Sequence, residues 1–467
     1  MSHRTIIKRR DWLKALGAGG ISLAGARTSH AEPNVKSRKV RGVIFMVSDG
    51  MSPGVLSMAE AFSTIHRKRG TRWWQMLSDK STSCGLMDTA SASSLVTDSA
   101  AASSAWGGGK RVENYRINID AMGNESTPIA LRLKEASNAR IGLVTTATVT
   151  HATPAGFVAR VANRNDEDQI APQYLGSADV VLGGGSVFFD PDVRADRRDL
   201  WGEFRQAGYE VLRDRNALLA ARGEKLLGTF TRGHLPFSID QASNKSLQQR
   251  VPTLLEMADA ALDRMLMDKR PFLLQIEGAR IDHAAHLNDI GGLLHDQLAF
   301  DDTVDRVMQR CASLDDILVV VTSDHGNSNP GLNGIGARYA DTNRYFHRVA
   351  RLKASHERVF AEWNRNGSPQ DLARHVQGLL DFQLRNDEAE ALHQVLKGRE
   401  VIEWNELHEN PEGLLGQLIG NHTGVGWTGT THTADPTIIC AKGPGASRFS
   451  GIVKNSDVYH HLLEMLG

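Results

Sequence analysis

The chain has 467 residues, enough to bury a large core as one big α/β domain or two smaller ones. Its 54 basic and 54 acidic residues cancel and leave no charged tail, which argues against nucleic acid or an anionic membrane surface as partner. Cys84, Cys311 and Cys440 fit neither a CxxC metal pattern nor an even-numbered disulfide framework, so they read as isolated, buried thiols.

Residues 1–31 stand outside the fold. Lys8, Arg9 and Arg10 open a twin-arginine pattern, a Gly/Ala-rich run covers 15–26, and Ser29-His30-Ala31 offers small residues for cleavage. This reads as a bacterial twin-arginine export signal, too short and glycine-rich to stay in a bilayer as an anchor. Nothing else resembles a transmembrane segment. The mature chain, 32–467, is therefore expected to be soluble and periplasmic or secreted.

Apolar runs of buried-strand type follow at 42–47, 141–145, 179–182, 271–276, 317–321 and 437–441. Helical patterns lie between them at 126–137, 200–207, 252–269 and 293–314. Strand alternating with helix predicts an α/β fold, a mostly parallel central sheet with helices on both faces. Ligands in such sheets sit beyond the carboxyl ends of the strands. Asp49, Glu277, Asp324 and His325 all fall there. One such polar residue is an ordinary turn residue; four, all acid or histidine, suggest a metal centre.

Two other stretches add to it. In EGARIDHAAH, Asp282 and His286 are four apart, one helical turn, so both can reach one ion, with His283 beside them in a supporting position. In LVTDSAAASSAW, Asp98 is a candidate helix N-cap that sets Ser99 in the first turn, where free N–H groups favour an anion. A helix cap alone would also explain TDSA. A serine hydroxyl needs a base or a metal to become a nucleophile. Histidine plus carboxylate suits zinc, and carboxylate plus hydroxyl suits magnesium. Two ions about 4 Å apart can hold both sides of an in-line displacement.

The motifs VSDGM, VTDSAAASSAW, TTATVTHATPAGFVA, LGGG, EGARIDHAAH, TSDHG and a late HT resemble the alkaline phosphatase family, in that family's order and over nearly all of the mature chain. The resemblance implies Ser99 as the phosphorylated nucleophile and Arg164 as the arginine that grips two phosphate oxygens. It implies one zinc held by Asp282, His286 and His432, a second by Asp49, Asp324 and His325, and magnesium by Asp49, Thr153 and Glu277. The cycle it implies is attack by Ser99, a phosphoserine intermediate, and hydrolysis with inversion at each step. Substrates would be small phosphorylated molecules, and family members are often homodimers.

Three departures stand out. His151 and His283 occupy places where some bacterial members carry aspartate and lysine, which weakens the magnesium shell and lets zinc replace magnesium there. His422 and His432 both precede threonine, and His432 matches the family better because it stands just before the late strand. A helix-rich insertion spans 343–418, as a lid, a subunit contact or decoration, and the following GVGWTGTTH loop would bring Trp427 near the pocket. The other readings are a phosphodiesterase or phosphonate hydrolase on the same scaffold, and a non-catalytic metal- or phosphate-binding protein. Neither LGGG nor GGGK is a nucleotide-binding loop.

Overall fold

A computed structural model describes residues 40–335, 339–399 and 410–467, so the expected export signal and parts of the expected insertion lie outside the described residues. Ten strands form the central sheet: β1 (Gly42–Ser48), β2 (Ser83–Asp88), β3 (Arg140–Thr148), β4 (Val180–Gly184), β5 (Glu210–Leu212), β6 (Leu226–Thr229), β7 (Phe272–Gly278), β8 (Ile317–Thr322), β9 (Thr437–Lys442) and β10 (Gly451–Lys454). Their order is β10-β2-β9-β8-β1-β7-β3-β4-β6-β5. From β8 to β5 the pairings are parallel, and β9 runs against both β8 and β2.

The continuous apolar runs form strands because both faces of the sheet are covered. Along β1, Val43, Phe45 and Val47 enter one core, while Ile44 and Met46 enter the other. Residues Leu318 and Val320 of β8 likewise face the first core, and Val319 and Val321 the second. This is strand alternation with a hydrophobic layer on each side.

The helices used below are α1 (Ser99–Gly108), α2 (Ala152–Gly156), α3 (Leu254–Met265), α4 (Arg280–His286), α5 (Ile290–Cys311), α6 (His356–Ala361), α7 (Pro369–Leu380), α8 (Asn386–Leu396) and α9 (Pro411–Thr423). Helix α1 sends Ala100 and Trp106 into one core; α3, α5 and α6 to α9 pack into the other. Helix α3 starts two residues later than its apolar pattern, because Thr253 and Glu256 form a capping box. Helix α5 starts three residues earlier, at Ile290, capped by Asp289, whose side chain accepts the Gly292 N–H; the Gly291-Gly292 pair hides that start from a periodicity search.

The insertion is fastened to this second layer. Asp289 Oδ2 accepts the His356 N–H at 2.8 Å, and Asp240 accepts both the N–H and the hydroxyl of Ser355. In α7, Leu372, Val376 and Leu380 recur every four residues and are buried.

The cysteine expectation needs correction. Cys84 and Cys440 are cross-strand partners on β2 and β9, with sulfurs 2.6 Å apart. Strand β2 is too short and mixed to recognise, so nothing in the sequence pairs two residues so far apart.

Candidate active site

The polar residues converge on one edge of the sheet. Asp49 follows β1, Asp324 and His325 follow β8, and Glu277 sits inside β7, opposite Val47 and Thr145. Because β9 runs the other way, the segment before it returns to the same edge. There His432 and Thr433 pair with Asn327 and Gly326 in a short antiparallel ladder, which locks His432 beside the turn after β8. Gly50 has φ +66°, and a Cβ on it would lie 2.3 Å from an Asp282 carboxylate oxygen, so the turn after β1 needs glycine.

Helix α1 begins at Ser99, as its cap sequence predicts. One oxygen of Asp98 accepts the Ala101 N–H at 2.9 Å, and the other accepts from the Tyr115 N–H and from the Arg164 guanidinium, both at 3.1 Å. One carboxylate thus caps the serine helix and orients the arginine. The second guanidinium arm meets His151 Nε2 at 2.9 Å. Helices α1 and α2 touch through glycine: a Cβ at Gly107 would lie 2.0 Å from the Gly156 carbonyl oxygen. That contact sets Ser99 and Thr153, one on each helix, at a fixed separation. Ser99 is buried, with its Oγ 3.1 Å from His325 Nε2.

Among the described residues, three groups of side chains could each hold an ion, their ligand atoms lying within 4.8 Å of one another: Asp282 with His325 and His432, Asp49 with Asp324 and His325, and Asp49 with His151 and Glu277. His286 joins the first. Its Nε2 lies 3.3 Å from Asp282 and 3.0 Å from His432 Nε2. The Nδ1 atoms of His286 and His432 meet the carbonyls of Thr430 and Thr97 at 2.7 and 2.8 Å. A carbonyl can only accept, so both rings carry hydrogen on Nδ1 and turn Nε2 lone pairs toward each other. Only a cation, a shared proton or a metal ion, makes that arrangement favourable.

The titration pattern agrees. Burial opposes charge on His286, but the Asp282 carboxylate raises it to about 9; burial and the neighbouring His325 push His432 down to about 4. One proton suffices for the pair. Burial and the surrounding carboxylates of Asp324, Asp282 and Glu277 drive Asp49 well above the usual range, and burial lifts Glu277 to about 7. Both carboxylate oxygens of Asp49, Thr153 Oγ1 and Glu277 Oε1 are buried with no hydrogen-bond partner among the described residues. Such a cluster of acids and lone pairs is costly unless cations neutralise it, so the residues present fit bound metal ions. His151 and His283 are held well below their usual range, by burial first and then by Arg164 and Arg280 respectively, which keeps both rings neutral.

His422 is elsewhere: its Nε2 lies 3.4 Å from Glu388, among the insertion helices. Trp427 does not reach the pocket either, and lines a separate cavity with Asn333, Gln417 and Val425. Sequence reasoning overlooked several supporting residues. Thr145 donates to Glu277 at 2.6 Å, and Asn327 donates to Asp282 at 2.6 Å. Arg280 reaches His283 Nδ1 at 2.7 Å and, with its other arm, Glu357 of α6 at 2.6 Å, so the insertion touches the site through one arginine. His234, whose ring centre is 4.5 Å from that of His283, follows β6, a strand too short to be recognised. Once β6 is known, a histidine just past its carboxyl end is the signal.

Comparison with known proteins agrees with this geometry. A family model described as alkaline phosphatase matches residues 40–467. Alkaline phosphatase 3 of Bacillus subtilis is 28% identical over 463 residues, which cover 95% of this chain and 94% of that protein. The repressible alkaline phosphatase of Saccharomyces cerevisiae is 33% identical over 62% of this chain and 55% of its own length. The crystal structure of Thermus thermophilus alkaline phosphatase matches with a TM-score of 0.85 at 32% identity, covering 95% of this chain and 96% of that one.

Proposed function

The chain belongs to the alkaline phosphatase family and is a phosphomonoesterase, and from that premise we propose that Ser99 is the nucleophile of a two-step phosphoryl transfer. Ser99 Oγ attacks phosphorus as the ester P–O bond breaks and the alcohol leaves. Water then attacks the phosphoserine, the Oγ–P bond breaks, and inorganic phosphate departs. Each in-line step inverts phosphorus. The observation that carries this reading is Ser99 in the first turn of α1, 3.1 Å from His325 and inside a cavity it shares with Arg164, Asp282, His286 and His432.

Each residue has a physical task. The first-turn N–H groups of α1 and the two arms of Arg164 suit a dianionic phosphate, which offers oxygens enough for both. Asp98 and His151 hold those arms before substrate arrives. Asp282, His286 and His432 would hold one zinc, Asp49, Asp324 and His325 a second, and Asp49, Thr153 and Glu277 a magnesium. His151 stands in the last group, and its nitrogen favours zinc as an alternative occupant. When bound, these ions lower the pKa of the Ser99 hydroxyl and offset charge on the reacting oxygens. The chain's own part is to keep the serine, the guanidinium and the acids fixed in a buried pocket.

The ligand assignment has a direct test. Metal analysis of His432→Ala is expected to show loss of about one zinc equivalent with a large fall in hydrolysis of p-nitrophenyl phosphate, while His422→Ala keeps both. Loss of zinc in His422→Ala alone would reverse the assignment.

Residues 1–31 support export by the twin-arginine route, on the sequence KRRDWLK and its apolar sequel. No described helix is long and apolar enough to cross a membrane. A reporter fused behind these residues is expected outside the cytoplasm, and Arg9→Lys with Arg10→Lys should trap it inside. A reporter exported equally well with both lysines would rule out that route.

A further inference from the structure

The site cavity, about 420 Å³, has the size of a pocket that takes a small organic ligand, so the alcohol portion of the substrate has a place in it. Most of the lining is polar or charged. Tyr115 is the exception that reaches solvent: it lines the same cavity as Ser99 and Arg164, yet 62% of it is exposed, which puts its ring at the rim. Val96, half-buried, lines the cavity as well, and its neighbour Leu95 is 78% exposed. Tyr115 and Val96 thus bring apolar surface to a cavity with a charged centre.

The backbone of Tyr115 is unusual. Its φ is +69°, in the left-handed region, where a bulky side chain is strained. Its N–H donates to Asp98 Oδ2 at 3.1 Å, and its carbonyl accepts the Arg164 N–H at 2.8 Å. The strained residue is thus bonded on one side to the carboxylate that orients the guanidinium and on the other to the backbone of the arginine itself. These bonds hold the Tyr115 backbone beside the Ser99 pocket, in a conformation that glycine would adopt more readily.

We propose that Tyr115 is a specificity-determining residue, a platform on which an aromatic leaving group of the phosphate monoester stacks while Ser99 attacks. The proposal rests on the Ser99 reaction described above and names its substrate class: monoesters of aromatic alcohols are favoured over those of small aliphatic ones. The ring adds contact area to the leaving group alone, so its removal selects between substrates.

The test compares kcat/KM for phenyl phosphate and for glycerol 1-phosphate in the holoenzyme and in Tyr115→Ala, Tyr115→Phe and Tyr115→Gly. Taking the ratio of the two substrates within each protein cancels any shared effect on Arg164 or Ser99. The phenyl-to-glycerol ratio is expected to fall about fivefold in Tyr115→Ala and Tyr115→Gly, through KM, and to persist in Tyr115→Phe. The glycine variant also relaxes the backbone, so it remains informative if the alanine variant folds poorly. An unchanged ratio in the alanine or glycine variant, including equal losses on both substrates, would overturn the platform. So would loss of the ratio in Tyr115→Phe. Failure of the wild-type protein to cleave either ester would instead refute the Ser99 reaction.

Discussion

Ser99→Ala is expected to lower turnover of p-nitrophenyl phosphate by roughly 10³-fold or more. The loss should fall on kcat and kcat/KM together, because the missing oxygen forms its bond only as the reaction proceeds. The variant should still fold. Alanine is the better helix former, and the Oγ makes its one described hydrogen bond to His325. Acid-quenched wild-type protein should carry covalent phosphate after incubation with labelled substrate, and the variant should carry none. Two results would each refute the assignment: activity within tenfold of wild type, or label retained in Ser99→Ala.

Metal removal should have the second large effect, and its size depends on pH. Glu277, lifted by burial from 4.5 to about 7, keeps a proton in the folded metal-free protein that the unfolded chain has already lost. Its contribution to stability is present below pH 4.5 and disappears as pH rises through 7. His286 has burial against its charge and Asp282 in favour, and stands at about 9 against 6.5, so its contribution is lost as pH rises from 6.5 through 9. Asp49, raised by burial and neighbouring carboxylates, acts in the same direction. Chelator-stripped protein should therefore lose stability between pH 6.5 and pH 9, above the range where the lowered His432, His151 and His283 act in the opposite direction, on the order of 3 kcal/mol for a group shifted by about two units. Bound cations neutralise these acids and take the imidazole lone pairs, so the metal-loaded protein should show a much flatter profile. Thermal denaturation across that pH range, with and without chelator, reads the difference. Parallel profiles would mean that the cluster does not hold ions.

How much of this was legible in the sequence depends on the environment of each residue. Strands β1, β3, β7 and β8 announce themselves because burial on both faces demands an unbroken apolar run. Asp49, Asp324 and His325 become visible with them, as polar residues that interrupt such runs. The short strands β2, β5, β6 and β10 carry no such run, and whatever depends on them was hidden: the contact of Cys84 with Cys440, and His234 beside His283. The reversed direction of β9 was equally invisible, since strand direction is set by the path of the connection. Arg280 lies inside a motif that could be read, yet its contact with Glu357 is long-range and leaves no local pattern. The strain at Tyr115 leaves none either, because nothing about a tyrosine in NYR announces a positive φ.

The order of the strands also bears on how the centre is made. Strand β1 is synthesised early and β9 near the end, yet only β8 separates them in the sheet. A nascent chain that has emerged as far as His325 carries most of the acids and lacks His432, which arrives with the ladder that docks it against Asn327. Until then His286 lacks the ring that His432 sets against it in the folded chain. An ion held by the full first group would therefore be one that the finished chain meets, in whichever compartment it folds.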